Sequence, residues 1–202
     1  MKVQQWSGLI GVLALALTAC GGSSIPNAVT STSVSSGTNA SVPVVSAPVT
    51  SQAISADEQT ILDAVNVARA TARNCGTTAF AATTPLIWNA QLAAAAKLHS
   101  DDMAQNGYRG TATDAEAAHI GTDGSTPQQR ITQAGYVWKT SGENVAVGYT
   151  IGGASDVVAA WLNSPGHCSN IMSPKYKEIG VSYVFNDKMK YNSFFTQDFG
   201  SR

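Results

Sequence analysis

Glu178-Ile179-Gly180-Val181-Ser182-Tyr183-Val184-Phe185 sets Ile179, Val181, Tyr183 and Phe185 at every second position, the pattern of a strand with one face turned to a core. Asn186-Asp187-Lys188 then reads as a turn, and the aromatic run from Tyr191 to Phe199 as a further strand. Two strands joined by a short loop predict an antiparallel hairpin. Upstream, Val145, Val147 and Tyr149 alternate in the same way and predict another half-buried strand.

The segments before and between these strands carry helical signals. Ser55-Ala56-Asp57-Glu58 has capping-box spacing, and Ile61, Leu62, Val65 and Ala68 follow at helical intervals, so a helix is expected to about Arg73, where Asn74-Cys75-Gly76 stops it. Asn89 is read as the cap of a second helix, with Leu92, Ala95, Ala96, His99 and Met103 on one side and its end at Asn106-Gly107. Thr126-Pro127-Gln128-Gln129 combines a cap residue, Pro at the first helical position and Gln at the capping-box position, which predicts a short helix to Ala134. Ser155 is read as the cap of a fourth, striped by Val157, Val158 and Trp161, with Pro165-Gly166 beyond its end. Helices mixed with antiparallel strands, without regular βαβ alternation and without an internal repeat, give the α+β class.

The first quarter of the chain is different in kind. Lys2 is followed by an apolar run from Leu9 to Leu17, shorter than the roughly 20 residues a membrane-spanning helix needs, so it reads as a signal-peptide core. Leu17-Thr18-Ala19-Cys20-Gly21 has the form of a bacterial lipobox, which makes residues 1–19 a lipoprotein signal peptide and Cys20 the lipidation site; the alternative is an ordinary secretory peptide cut near Ala19. Acyl chains on Cys20 would tether the protein to a membrane, and the resemblance to bacterial lipoproteins, in which Asp after the cysteine marks inner-membrane retention, implies the outer membrane for a chain with Gly21 there. Residues 20–54 are rich in Ser, Thr, Val, Pro and Ala without aromatics, too poor in apolar surface to offset the entropy of ordering, and read as a disordered linker. The folded domain is expected over residues 55–202. A net charge of -1 with no basic run excludes the electrostatic footprint of a nucleic-acid binder.

Several stretches together resemble the CAP family (SCP-like, pathogenesis-related-1-like) in its bacterial branch. They are Trp88-Asn89, His99-Ser100-Asp101-Asp102-Met103, Asp123-Gly124-Ser125-Thr126-Pro127 before Arg130-Ile131, Gly135-Tyr136 and Gly142-Glu143-Asn144-Val145-Ala146. Trp161-Leu162-Asn163-Ser164-Pro165-Gly166-His167, Asn170-Ile171-Met172, Glu178-Ile179-Gly180-Val181 and Gln197-Asp198-Phe199-Gly200 follow in the family's order. The resemblance implies a three-layer α-β-α sandwich with a central antiparallel sheet and an open polar cleft. It assigns His119, Glu143 and His167 to that cleft. Animal and plant members carry a second Glu three residues after the helix tryptophan, where this chain has Ser164; Glu178, farther along, is the other accessory candidate.

Two imidazoles and a carboxylate form a sensible set for zinc or another divalent metal, and equally a hydrogen-bonded cluster in which Glu143 orients the histidines without metal. Ser164 with His167 and Glu143 has the parts of a nucleophilic triad, but a serine before Pro165 is explained by local capping. His99 lies on an apolar helix face and reads as a core histidine, and Trp88, Trp138 and Trp161 as core anchors. With Cys20 lipidated, Cys75 and Cys168 remain as a pair outside the cytoplasm; a disulfide is the natural reading and two free thiols the alternative. The function expected from all this is an envelope-tethered binding module for a lipid, peptide or cell-wall ligand. A metal-dependent hydrolase or protease is the runner-up, and a structural partner in the envelope a third possibility.

Overall fold

A computed structural model describes residues 18–19, 53–111, 114–148 and 153–202. Its elements are β1 (Thr18–Ala19), α1 (Ala56–Arg69), β2 (Arg73–Cys75), β3 (Thr78–Phe80), β4 (Ile87–Trp88), α2 (Ala90–Asn106), a 3-10 helix (Glu116–His119), α3 (Pro127–Gln133), β5 (Thr140–Gly148), α4 (Ala154–Asn163), α5 (Pro165–Met172), β6 (Glu178–Phe185) and β7 (Ser193–Ser201). Cys20, the leader as far as Leu17, nearly all of the linker, and Tyr149 lie outside the described residues.

Both capping boxes form as their spacing requires. Ser55 and Glu58 exchange bonds of 2.8 and 3.3 Å at the start of α1, and Thr126 and Gln129 do the same at the start of α3. Asn89 caps α2 by accepting from the amides of Gln91 and Leu92. Three boundaries differ from expectation. The first helix stops at Arg69 rather than near Arg73, because Arg73–Cys75 pairs antiparallel with Thr78–Phe80 and gains a backbone ladder that a longer helix would forfeit. Ser155 is not a cap: the chain turns at Gly153, whose φ of 153° suits glycine, and α4 begins at the buried Ala154. Pro165 does lie beyond α4, yet it opens a helix that was not anticipated. Ser164 ends α4 and occupies the N-cap position of α5, and Pro165 loses nothing at a first-turn position where its missing N–H has no intrahelical partner.

The larger sheet has the order β1-β5-β7-β6-β4. β5, β7 and β6 run antiparallel with continuous register, Glu143 opposite Asp198 and Asp198 opposite Gly180, while β4 adds to β6 in parallel. The expected hairpin is β6 and β7, closed between Phe185 and Ser193. β7 is the central strand and is buried along almost its whole length. Helices cover both faces, giving the α-β-α layers. Ile61, Val65, Val157, Trp161 and Ile171 from α1, α4 and α5 pack on Ile179, Val181, Phe195 and Phe199, and each such fully buried side chain contributes about 1.5–3 kcal/mol. α2 crosses the other face against β6 and β7, with α3 beside it. Gly180 sets the closeness of that layer: a Cβ there would fall 1.9 Å from the backbone nitrogen of Ala93, so any side chain would wedge α2 off the sheet.

Cys75 and Cys168 are disulfide-bonded, with their Cα atoms 5.4 Å apart, which joins β2 to α5. Arg69, fully buried at the end of α1, donates to the carbonyls of Thr84, Ile171 and Ser173 and so ties the end of α5 to the same layer. Burial lowers its pKa to about 10, still cationic at neutral pH. No helix among the described residues is long and apolar enough to cross a membrane.

Candidate functional site

β5 carries Glu143 on the face turned toward α2 and α3, and each carboxylate oxygen is engaged. Oε1 accepts from His119 Nδ1 at 2.7 Å, and Oε2 accepts from Arg130 Nη2 at 2.8 Å. Arg130 also donates to the carbonyl oxygens of His119 and Ser125, so one guanidinium on α3 fixes the 3-10 helix, the loop before α3 and the strand. Both ion-paired side chains are almost wholly buried. Burial by itself would raise the Glu143 pKa; the attraction of Arg130, with smaller contributions from His99 and His119, outweighs it and holds the carboxyl down at about 2. Glu143 is therefore ionised, and because an ionised carboxylate only accepts, His119 Nδ1 is the donor of their bond.

Asp198 lies directly across from Glu143 on β7 and is also fully buried. Burial and the neighbouring negative charge of Glu143 push its pKa well above the ordinary carboxylate range, against the pull of Arg130, so it is neutral where Glu143 is charged. His99 donates from Nε2 to the Ala118 carbonyl at 2.8 Å, and burial lowers its pKa, which fits the core histidine expected there.

His167 arrives from the other helical layer. α5 is laced to β5 by two amides: Asn144 Nδ2 donates to the His167 carbonyl at 3.3 Å and to Gln197 Oε1 at 2.9 Å. Asn170 Nδ2 donates to the Glu143 carbonyl at 3.2 Å and to Asn144 Oδ1 at 2.9 Å. The disulfide at Cys168 pins the adjacent residue. His119 and His167 thus stand on elements flanking the same short stretch of β5. Between those elements β1 pairs with β5 at Asn144 and Val145 and lies against both the 3-10 helix and α5. The expected cleft is therefore filled, and His119, Glu143 and His167 are all buried.

The accessory candidates fall elsewhere in role. Glu178 accepts from Asn89 and Tyr136 and pairs with Arg202, two strands away from Glu143 and two residue positions along the sheet, where it fastens the start of α2 to the sheet. Ser164 is buried at the junction of α4 and α5 and makes no capping bond with its side chain, so the local-capping explanation of its presence does not hold. Trp161 is a core residue, and Trp88 and Trp138 are half-buried against the cores. Each Glu143 oxygen accepts a bond, one from His119 and one from Arg130, and the adjacent Arg130 charge opposes a cation. Among the described residues no three His, Cys, Asp or Glu side chains are disposed to hold a metal ion, so a three-ligand site built on His119, Glu143 and His167 does not fit this geometry.

Arg130, Asp198, Asn144 and Asn170 were not singled out from sequence as site residues. Asp198 carried a usable signal, a carboxylate in a strand flanked by Phe194, Phe195 and Phe199, where a charged residue is buried only with a reason. Arg130 sits on a short helix beside Ile131 and gives no such warning. Cavities open to solvent on both sides of the sheet's buried cluster. One of about 180 Å³ is bordered by His99, Asp102 and Arg130, and one of about 290 Å³ by Lys139, Asn170 and Tyr176.

Comparison with known proteins gives consistent matches. The model of the cysteine-rich secretory protein family (CAP) matches residues 62–199. The chain is 33% identical over 115 residues to the uncharacterized protein YkwD of Bacillus subtilis, covering 57% of this chain and 39% of that one. It is 28% identical over 117 residues to the uncharacterized membrane protein YlbC of the same organism, covering 58% and 29%. The chain thus spans well under half the length of either curated relative. Among solved structures, an extracellular SCP-domain protein from Bacillus anthracis aligns with a TM-score of 0.56 at 25% identity, over 72% of this chain and 40% of that chain. An outer surface protein from Borrelia burgdorferi shares the fold, with a TM-score of 0.54 at 22% identity, over 72% of this chain and 92% of that chain.

Proposed function

The chain belongs to the cysteine-rich secretory protein (CAP) family, and on that premise we propose that it is an extracytoplasmic binding module, tethered to the bacterial envelope through Cys20, that holds a ligand between His119 and His167. One observation carries this reading: Glu143 spends both oxygens on Arg130 and His119. A carboxylate committed in this way fixes the wall of a cleft and offers no free general base, so binding is favoured over hydrolysis. The location is supported by the lipobox form of Leu17 to Gly21 and by the description of the Bacillus anthracis protein as extracellular.

The test titrates the purified full chain with three probes: an extended synthetic peptide, vesicles of phosphatidylethanolamine and phosphatidylglycerol, and soluble muropeptides. The wild type and His167→Ala are compared after their denaturation midpoints have been matched. Binding of one probe that falls at least about tenfold in the variant, about 1.4 kcal/mol, supports the reading. No binding of any probe, or His167-dependent turnover of one, overturns it.

A further inference from the structure

The short strand β1 marks a slot of defined chemistry. β7 takes one side of β5 along its full length, from Thr140 opposite Ser201 to Gly148 opposite Ser193. The other side is the sheet's edge, and there Thr18 lies opposite Val145 and Ala19 opposite Asn144 in antiparallel register. The same two residues lie against the 3-10 helix that ends in His119 and against α5, which carries His167. The space between those helices is therefore one extended chain wide. Its floor is the outer backbone of Asn144 and Val145, and its walls belong to the two histidine-bearing elements.

An exposed strand edge presents N–H and C=O groups that require partners when covered. A hydrocarbon chain laid in the slot would bury those groups without satisfying them, at a cost of about 1–3 kcal/mol each. A polypeptide backbone satisfies them by extending the ladder. We propose that the cleft is a strand-addition site for an extended peptide with small residues at the two paired positions, and that Thr18–Ala19 occupies it in cis in the unprocessed chain. The proposal rests on the reading of this cleft as the binding site and names the ligand class as peptide. Removal of the segment, as processing at Cys20 would bring about, leaves the slot open to a peptide in trans.

The expected behaviour follows from competition. A segment joined to its site by the same chain acts at an effective concentration up to about millimolar, so a free peptide binds weakly while the segment is in place. Proline at both positions removes whichever of the two N–H groups faces β5 and vacates the site. The probe is a fluorescein-labelled peptide of residues 16–24 bearing Cys20→Ser, titrated into the full wild-type chain and into full-length Thr18→Pro/Ala19→Pro. The variant is expected to bind at least about tenfold more tightly. The outward-facing amide at the Asn144–Val145 step is expected to be protected from hydrogen exchange in the wild type, to exchange freely in the variant, and to regain protection with peptide. The same peptide carrying prolines at both paired positions should not compete at millimolar concentration with either chain, a measurement that needs no folding variant. Equal affinity of the two chains, or binding that leaves that amide unprotected, overturns the proposal. If vesicles or muropeptides bind in a His167-dependent manner while the peptide does not, the peptide assignment falls alone; if no probe binds, it falls together with the binding-module reading.

Discussion

Replacing Glu143 by Gln tests whether the buried carboxylate is the pin of the cleft. Its two bonds, 2.7 Å from His119 and 2.8 Å to Arg130, lie where neither Glu143 nor Arg130 has appreciable solvent contact. A glutamine keeps the shape but offers one oxygen and one NH2 group, so either the His119 Nδ1–H or the Arg130 Nη2–H meets another donor, and the Arg130 cation loses its counter-charge. Breaking a buried pair from one side costs about 3–5 kcal/mol. Arg130→Met, which retains bulk, should cost a similar amount, since it abandons the carboxylate and the carbonyls of His119 and Ser125. The double variant should then be more stable than the sum of the singles predicts, by about 1–3 kcal/mol of coupling. Urea denaturation of the four proteins at pH 7, with the disulfide intact, measures all terms. A Glu143→Gln loss under about 1 kcal/mol, or additivity within about 0.5 kcal/mol, would refute the assignment of Glu143 as a structural pin.

Four further outcomes are expected. Asp198 is held neutral in the folded state by a raised pKa, so it subtracts stability as pH rises above the ordinary carboxylate range; Asp198→Asn should be more stable than wild type at pH 7 and equal to it near the ordinary Asp pKa of about 4, as read from denaturation across pH, and a variant less stable at pH 7 contradicts this. Glu143 has the opposite sign: its depressed pKa contributes stability that is complete above the ordinary range and is lost as pH falls toward about 2, so an acid limb that is unchanged in Glu143→Gln would be inconsistent with it. Cys75→Ala/Cys168→Ala opens a loop with a sequence separation of 93 and should cost about 4–5 kcal/mol in denaturant, with a loss below about 1 kcal/mol counting against the constraint. Cys20→Ala should abolish incorporation of an alkyne-tagged fatty acid in a bacterial host, and equal labelling of wild type and variant would rule out Cys20 as the anchor.

Local signals carried the fold furthest where one residue's chemistry decides a boundary. Ser55 with Glu58, Asn89, and Thr126 with Gln129 each start the helix they announce, because a cap is a short-range bond between groups fixed by the helix itself. Boundaries that depend on what the next segment does were less legible. Arg73–Cys75 becomes a strand because Thr78–Phe80 and Cys168 are there to receive it, and α5 begins directly after α4 because Ser164-Pro165 starts one helix as it ends another. The site divides the same way. Family resemblance singled out His119, Glu143 and His167, but the guanidinium that holds two of their segments comes from α3, and the amides that hold the third come from Asn144 and Asn170. No periodicity in the chain records that Glu143 and Asp198 are neighbours; their shared register across β5 and β7 makes one carry the charge and the other the proton.

The most direct measurement is a crystal structure of the full-length Thr18→Pro/Ala19→Pro chain grown with the residue 16–24 peptide. Ordered peptide density running antiparallel to β5 at Asn144 and Val145, flanked by the rings of His119 and His167, is the predicted result. Peptide seated instead beside Lys139 and Tyr176, or a slot closed by direct packing of α5 on the 3-10 helix, would contradict it.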